Sequence, residues 1–162
     1  MTSDHHRPSA PALEFVTCIH VDVAAPLELG EDNCGRRRFI PITGGHFSGL
    51  GLNGRVLPGG GDWQTLRPDG VAELEARYFL QTDAGDLIEV TNTGYRHAPE
   101  DVMARLVNGE VVPAEAYYFQ TTPRLHTTSA DLGWLNRTIF IGAAQRLPDD
   151  VIINVFAVIG AS

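Results

Sequence analysis

The chain has 162 residues, enough for one domain with its own hydrophobic core, and a formal net charge of −8, which argues against nucleic acid or an anionic membrane surface as a partner. No apolar run approaches the roughly 20 residues of a membrane-spanning helix, and we expect no signal peptide because the first residues lack an apolar core. The two cysteines fit neither a disulfide framework nor a zinc spacing, so we expect reduced thiols and a cytoplasmic location.

The N-terminal part of the sequence predicts a tail followed by a strand and a loop. Residues 1–11 are polar and contain proline, which indicates a disordered tail before a single domain at 12–160. Apolar and polar residues alternate from 13 to 23, which is typical of a half-buried strand. Residues 25–35 carry glycine, proline and acidic side chains and are predicted to form a loop.

The glycine-rich stretch at 41–63 contains Gly49-Leu50-Gly51-Leu52-Asn53-Gly54, which fits the G-x-G-x-x-G pattern of a dinucleotide-binding loop. Such a loop needs a helix directly after it, so that the helix N-terminus meets the pyrophosphate. Here Pro58 and three glycines follow, and they cannot open a helix. The stretch therefore predicts β structure with glycines at bends and close backbone approaches.

The remaining elements are mostly short strands. Residues 71–82 alternate, 83–86 form a tight turn, and 87–92 are the return strand of a hairpin. Residues 99–106 are the one predicted helix, with proline at the start, acids in the first turn and Asn-Gly after the end. Further strands are predicted at 64–66, 115–121, 134–145 and 151–159. Many short strands with a single short helix predict an all-β domain, and a closed antiparallel β-barrel is favoured because closure removes exposed strand edges.

Several motifs in combination resemble one family. They are Pro41-Ile42-Thr43-Gly44-Gly45, the run from Gly54 to Trp63, Arg77-Tyr78, Thr82-Asp83-Ala84-Gly85, Tyr118-Phe119 and Trp134-Leu135-Asn136. The chain resembles uncharacterised protein family three-one-one (domain of unknown function three-two-three-seven) over residues 13–159. The resemblance implies a barrel like those of allene oxide cyclase and dirigent-like proteins, with a small, often aromatic or oxygenated hydrophobic molecule inside. The family has no agreed catalytic residues, so the resemblance assigns none to this chain. One departure is Leu125-His126, where an aromatic residue and an acid are expected.

Four residues are candidate catalytic groups. Asp62 and His126 are possible acid–base groups, since a carboxylate at a barrel mouth or an imidazole near neutrality can move a proton. Arg77 and Tyr118 are possible stabilisers of a developing oxyanion. Three of them have a structural alternative: Asp62 as a turn residue, Arg77 in an exterior salt bridge, and Tyr118 as a core aromatic.

Four further residues are candidate substrate contacts. Trp63 and Trp134 would supply aromatic walls, Tyr78 a phenol, and Asn136 an amide for a carbonyl group. The alternative for Asn136 is an amide tied to backbone. The sequence does not decide which face of each strand is interior, and a slip of one residue exchanges the whole set.

The scattered histidines at 46, 97 and 126 lack the paired spacing of a metal site, so neither a metal nor a cofactor is expected. We interpret the chain as a cofactor-free isomerase, cyclase or lyase acting on a small hydrophobic, oxygenated molecule. The alternatives are a non-catalytic carrier and an oligomerising module with a filled interior. A homo-oligomer is expected in every case, because the last strand is apolar on both faces.

Overall fold

The computed structural model describes residues 7–160, which form ten strands, one α-helix and two short 3₁₀ segments. Of the predicted tail, residues 1–6 lie outside the described residues, and residues 7–11 are exposed and carry no regular secondary structure. The strands are β1 (Ala12–Val23), β2 (Leu27–Asp32), β3 (Gly35–Gly49), β4 (Gly54–Val56), β5 (Gly61–Leu66), β6 (Ala72–Thr82), β7 (Leu87–His97), β8 (Tyr118–His126), β9 (Phe140–Arg146) and β10 (Asp150–Ile159). The helix α1 spans Glu100–Val107, and the 3₁₀ segments span Ala114–Ala116 and Ala130–Arg137.

The strands form one antiparallel sheet that closes into a barrel. The order around the wall is β1, β10, β9, β8, β7, β6, then β4 and β5, then β3, which pairs back onto β1. β4 and β5 share one position between β3 and β6, so the wall has eight strand positions, and β2 extends from β3 as a hairpin arm. The closed antiparallel β-barrel predicted from the sequence is confirmed.

Alternation along each strand decides which side chains are interior. In β6, Leu74, Tyr78 and Leu80 are buried, whereas Glu75 and Phe79 between them are exposed. The same period of two holds in β7 and β8, where even-numbered and odd-numbered residues respectively face inward. The interior faces together form a single apolar cluster that gathers side chains from the strands around the wall.

The glycines of β3 lie where this strand crosses β1. Gly44 and Gly45 have φ of 154° and 134°, in the region that favours glycine. A Cβ at Gly45 would overlap the carbonyl oxygen of His20 on β1, so the two backbones approach closely only because position 45 has no side chain. The residues that fit G-x-G-x-x-G form the turn from β3 to β4, and a strand follows them, which confirms that this is no dinucleotide loop.

Two parts of the secondary-structure prediction are wrong. Residues 25–35 contain β2, which is exposed along its whole length and is held by pairing with β3 rather than by burial. Residues 134–137 belong to a 3₁₀ segment, and the strand that follows begins only at Phe140. The Thr138 hydroxyl donates to the Trp134 carbonyl at 2.6 Å, and Leu135 is the one buried residue of this 3₁₀ segment. The alternation of apolar and polar residues in the sequence therefore does not mark a strand here.

The helix α1 agrees with its prediction to within one residue. Pro99 precedes it, and Gly109, at φ 77°, donates its N–H to the Leu106 carbonyl just after the end. The connection between β7 and β8 that carries α1 buries Leu106 and Val112 fully. No helix within residues 7–160 is long and apolar enough to cross a membrane.

The two halves of the barrel interior differ. One half is filled by large apolar side chains, among them Phe47, Leu80, Ile88 and Phe140. The other half, toward the start of β6 and the end of β7, encloses a cavity. A filled interior, which the oligomerising-module hypothesis requires, is therefore not what the fold shows.

Candidate functional site

The cavity has a volume of about 320 Å³, at the lower end of the range for small-molecule pockets, roughly 300–1,000 Å³. Its wall combines aliphatic side chains with a group of polar ones. The aliphatic side chains are Val21, Val23, Ile40, Ile42, Leu74, Val151 and Ile153. Exposed residues in the connections at 24–26 and 147–149 also line it, so the cavity opens to solvent between these two loops.

A hydrogen-bonded chain of three side chains runs from the wall to a carboxyl group. The Arg38 Nε donates to Gln64 Oε1 at 2.9 Å, and the Gln64 Nε2 donates to Asp62 Oδ2 at 2.7 Å. The other carboxyl oxygen of Asp62 accepts the backbone N–H of Glu75 on β6 at 3.2 Å. Asp62 and Gln64 share the inward face of β5, and both line the cavity. Asp62 is therefore held in one orientation by partners on both oxygens.

Burial sets the chemistry of Asp62. Removal from water raises the pKa of its carboxyl above the ordinary Asp value, because the charged form loses solvation. The Gln64 hydrogen bond, the Arg96 charge, the Glu75 N–H and the Arg38 charge lower the pKa and oppose that shift. A carboxyl in this environment can exchange a proton with a bound molecule at a pH closer to neutrality than an exposed aspartate can.

Two arginines line the same cavity. Arg96 is 1 % exposed, and its guanidinium carbon lies 5.4 Å from the centre of the Phe119 ring. Burial, together with the charges of Arg146 and Arg38, lowers the pKa of Arg96 to about 9, so it remains a cation at neutral pH. Burial likewise lowers the pKa of Arg146. The backbone N–H of Arg146 donates to the Tyr117 hydroxyl at 2.8 Å, which ties β9 to the start of β8.

Several polar atoms of the cavity residues have no hydrogen-bond partner within residues 7–160. They are the Tyr78 hydroxyl, Asn92 Oδ1, Thr121 Oγ1, Arg146 Nη1 and the Nε and Nη2 of Arg96. Buried polar groups in folded proteins nearly always have partners, so a cluster without them marks a place where a ligand or water completes the hydrogen bonds. Burial, and the nearby Asp62 charge, raise the pKa of the Tyr78 phenol, which therefore stays a hydrogen-bond donor.

Of the residues predicted to form the site, Asp62 and Tyr78 line the cavity together. Arg77 lies on the outer face of β6 and pairs with Glu89 at 3.1 Å, as its structural alternative states. Tyr118 is 48 % exposed and stacks on His97, and His126 is exposed at the end of β8. Arg77, Tyr118 and His126 lie on the outward faces of their strands, so the barrel wall separates them from Asp62.

The other predicted contacts also lie outside the cavity. Trp63 is on the outer face of β5 and packs on Phe39, with ring centres 4.8 Å apart. Trp134 lies on the second 3₁₀ segment rather than on a central strand. The Asn136 amide accepts the Thr127 backbone N–H at 2.9 Å and donates to the Thr127 carbonyl at 2.8 Å, which is the tie to backbone that its alternative describes.

Sequence reasoning missed most of the cavity's polar side chains as site residues. The missed residues are Gln64, Asn92, Arg96 and Arg146, which line the cavity, and Arg38, which lies behind Gln64. Arg96 carries a signal in the sequence: it has the same parity as Ile88, Val90 and Asn92, so a return strand extended by five residues places it inside.

The fold and the cavity define the protein as an eight-position antiparallel β-barrel with a polar site inside. Residues 11–158 match the family described as "Protein of unknown function (DUF3237)", and the chain belongs to that family. The resemblance found from the sequence motifs is thus confirmed.

Bacterial relatives match over nearly the whole chain. A UPF0311 protein of Clostridium acetobutylicum is 41% identical over 146 residues, which are 90% of this chain and 92% of that protein. The crystal structure of the conserved protein RPA1785 from Rhodopseudomonas palustris superposes with a TM-score of 0.89 at 37% identity, covering 94% of this chain and 100% of the other.

Two fungal proteins are more distantly similar. The PR-toxin biosynthesis cluster protein 7 of Penicillium roqueforti is 26% identical over 131 residues, 69% of this chain and 70% of that protein. The crystal structure of an enzyme from Penicillium herquei has the same fold, with a TM-score of 0.72 at 21% identity, covering 94% of this chain and 97% of the other. The barrel fold is thus shared with an enzyme.

Proposed function

We propose that the protein is a cofactor-free enzyme that moves a proton on a small, oxygenated, largely hydrophobic molecule held in the barrel cavity. The observation that carries this proposal is one arrangement: a buried carboxyl, Asp62, shares a ligand-sized cavity with hydrogen-bonding side chains that lack partners. Groups of this kind, brought together in a cleft with perturbed pKa values, are typical of acid–base active sites.

Asp62 serves as the acid–base group. In its ionised form it removes a proton from a carbon next to a carbonyl, and the electron pair of the C–H bond moves onto the carbonyl oxygen. Returning the proton to a different carbon completes an isomerisation. Expelling a leaving group from the neighbouring carbon of the same intermediate completes an elimination. Where the substrate carries its own hydroxyl, Asp62 instead removes the hydroxyl proton, the oxygen adds to a carbon–carbon double bond conjugated with the carbonyl, and the enolate so formed takes the proton from Asp62, which completes a cyclisation.

Tyr78 stabilises the oxygen on which negative charge develops. Its phenol is buried, donates hydrogen bonds and has no partner in residues 7–160. Donors fixed in a cavity that excludes water lower the energy of a developing oxyanion more than donors in solvent do. The aliphatic wall, formed in part by Val21, Ile42 and Ile153, holds the hydrophobic body of the substrate.

Two distant similarities support an enzyme. The related fungal protein of Penicillium roqueforti is named for a biosynthesis cluster, and a fungal protein with the same fold is described as an enzyme. A barrel that acts in small-molecule metabolism agrees with the size and wall of this cavity.

Deuterium exchange tests the proposal without knowledge of the final product. The protein is incubated in D₂O with acetoacetate, phenylpyruvate and 2-cyclohexenone, and loss of the proton next to the carbonyl is followed by ¹H NMR. We expect exchange above the protein-free rate for at least one compound, and a loss of about 10²–10⁴-fold in Asp62→Asn, the usual contribution of a general acid–base group. Asp83→Asn is the matched control, because Asp83 is exposed in the β6–β7 turn.

The second candidate is a carrier that binds the same kind of molecule without changing it. The cavity alone, without reference to Asp62, favours this candidate. Compounds that bind but never exchange a proton, in wild type and Asp62→Asn alike, would establish the carrier and reject the enzyme.

We also propose a reducing, cytoplasm-like compartment as the protein's location. Both Cys18 and Cys34 are free thiols in the structure, although Cys34 is exposed. Exposed free thiols persist where the surroundings are reducing.

A further inference from the structure

The cavity carries more positive than negative charge. Arg96 and Arg146 line it, and Arg38 lies directly behind Gln64, whereas Asp62 is the one carboxyl group in its interior part among the described residues. Asp149 also lines it, but at the exposed turn by the opening. The interior is therefore cationic even when Asp62 is ionised, in a protein whose formal net charge is −8.

Arg96 differs from the arginines of the outer surface. Among residues 7–160, the salt bridges that we find involve Arg36, Arg67, Arg77 and Arg105, each with an acid at the surface. Arg96 is almost fully buried, forms none of these pairs and has two guanidinium nitrogens without a partner in the described chain. Asp62 is near enough to raise the pKa of Arg96, but it is a single carboxyl beside the three cations Arg96, Arg146 and Arg38. Positive charge that is buried in excess is strongly unfavourable, so this surplus points to an anion that occupies the cavity in the working protein.

The shape and wall of the cavity select among anions. A guanidinium group presents a planar fork of N–H donors that matches a planar carboxylate. The rest of the wall is aliphatic, with Phe119 covering one face of Arg96, and this surface suits an apolar body. An inorganic phosphate or a sugar phosphate would leave most of that apolar surface without a contact.

We propose that Arg96 and Arg146 form a carboxylate subsite, and that the molecule bound in the barrel is an organic acid with an apolar body. This inference rests on the proposed function for its substrate class, and it adds the charged group by which the substrate is held. Arg96 and Arg146 then fix the carboxylate, and Tyr78 remains available to the reacting oxygen beside Asp62.

Matched acid and amide probes test the subsite. Benzoate and 3-phenylpropanoate are compared with benzamide and 3-phenylpropanamide by isothermal titration calorimetry at constant ionic strength near neutral pH. Each amide has nearly the shape of its acid and lacks the charge. We expect each carboxylate to bind at least about tenfold more tightly than its amide, as for a charge-assisted bidentate contact in a desolvated site.

The variant Arg96→Met is expected to reduce that preference to within about twofold, while Arg105→Met, which removes an exposed arginine of α1, leaves it unchanged. The ligand-free variant is expected to unfold at the same temperature as wild type or a higher one, because one of three cations around a single carboxyl has been replaced by an apolar side chain. A purely structural Arg96 would instead lower the unfolding temperature. If Arg96→Met does not fold, Arg146→Met is measured in its place.

Three results would overturn the inference. The first is equal affinity for acids and amides in the wild-type protein. The second is no binding of any carboxylate at millimolar concentration. The third is tighter binding of inorganic phosphate than of benzoate. The carboxylate subsite and the proposed enzyme activity can fail separately. Carboxylate binding without proton exchange rejects the enzyme alone. Proton exchange on 2-cyclohexenone that survives Arg96→Met, in a protein that binds acids no better than amides, rejects the subsite alone.

Discussion

Gln64 is a neutral side chain that favours the ionised form of Asp62. A guanidinium group can only donate hydrogen bonds, so the contact with Arg38 Nε requires Gln64 to present its carbonyl oxygen to Arg38. The amide nitrogen of Gln64 must then face Asp62, where it donates to the carboxylate. A group that hydrogen-bonds to the charged form of an acid lowers the pKa of that acid. Gln64 therefore counteracts part of the upward shift that burial imposes on Asp62.

The pH dependence of proton exchange follows from this arrangement. Because the base is the ionised carboxyl, the rate is expected to rise with pH and to level off above the pKa of Asp62, at a pH higher than the ordinary value of about 3.9. Gln64→Met removes the donor, which raises the pKa of Asp62 and moves the inflection to higher pH. The measurement is the deuterium-exchange rate of wild type and variant across pH.

The control for this experiment is Gln120→Met, which changes a glutamine on the exposed face of β8 and is expected to leave the inflection in place. An inflection that moves to lower pH in Gln64→Met would show that the hydrogen bond stabilises the protonated carboxyl instead.

The sequence suggested candidate residues for a site without showing which of them share the barrel interior. Asp62 and Tyr78 line the cavity, whereas Arg77 and Tyr118 lie outside it. The reason is the period of two: neighbours on a strand face opposite sides, and the sequence gives the alternation without saying which parity is inside. For β6 the inside parity follows only from pairing with β5 and β7, which is a long-range property.

Strand β3 is the element that makes barrel closure possible. It pairs with β2 and β5 along its first part and with β1 and β4 along its last part. The change of partners occurs near Gly44 and Gly45, where glycine permits both the positive φ and the close approach to His20.

Two alanine substitutions, one in the connection between β4 and β5 and one in β3, separate backbone strain from steric overlap. Gly59→Ala introduces a side chain at φ 109° with no neighbouring atom within 4 Å, and we expect a loss of about 1–3 kcal/mol from strain alone. Gly45→Ala adds the overlap with the His20 carbonyl oxygen and is expected to reduce the free energy of unfolding by more than Gly59→Ala does. Urea unfolding measures both. Equal losses in the two variants would mean that β1 and β3 move apart without penalty.

Elements with a clear period were predicted, and those held by partners were not. Residues 13–23 and 71–82 alternate and match β1 and β6 to within one residue. β2 is exposed along its length, so no burial pattern marks it, and it exists through its pairing with β3. At residues 134–137 a strand was predicted where none exists. This segment is held by the hydrogen bonds between the Asn136 amide and the backbone of Thr127, a contact across a loop that sequence periodicity does not reveal.

At the scale of the molecule, one apolar surface remains uncovered on the outside of the barrel. It is formed by Leu13 and Phe15 of β1, Phe156 and Val158 of β10, and Ile139 just before β9, and we call it the β1–β10 patch. Leu13 and Phe15 lie opposite Val158 and Phe156 in the strand register, so the patch is contiguous. Contiguous exposed apolar surface of this kind is typical of interfaces.

We expect the protein to be a homo-oligomer that associates through the β1–β10 patch. Ile139→Glu places a charge on a side chain that is 70 % exposed and should shift the mass toward the monomer with little change in unfolding temperature. Size-exclusion chromatography with light scattering gives the mass. Leu87→Glu, at a leucine that is 50 % exposed on the β6–β7 hairpin, is the matched control and should leave the mass unchanged. A monomeric wild-type protein would contradict this expectation.

The pairing of β1 with both β3 and β10 has a consequence for how the molecule is made. β3 is available soon after β1 emerges from the ribosome, but β10 is the last strand of the barrel to be synthesised. Until then β1 has one edge without a partner, and Val151 and Ile153, which complete the cavity wall, are missing. The cavity therefore forms only after β10 has been synthesised, and contacts so distant along the chain make closure a slow step in folding.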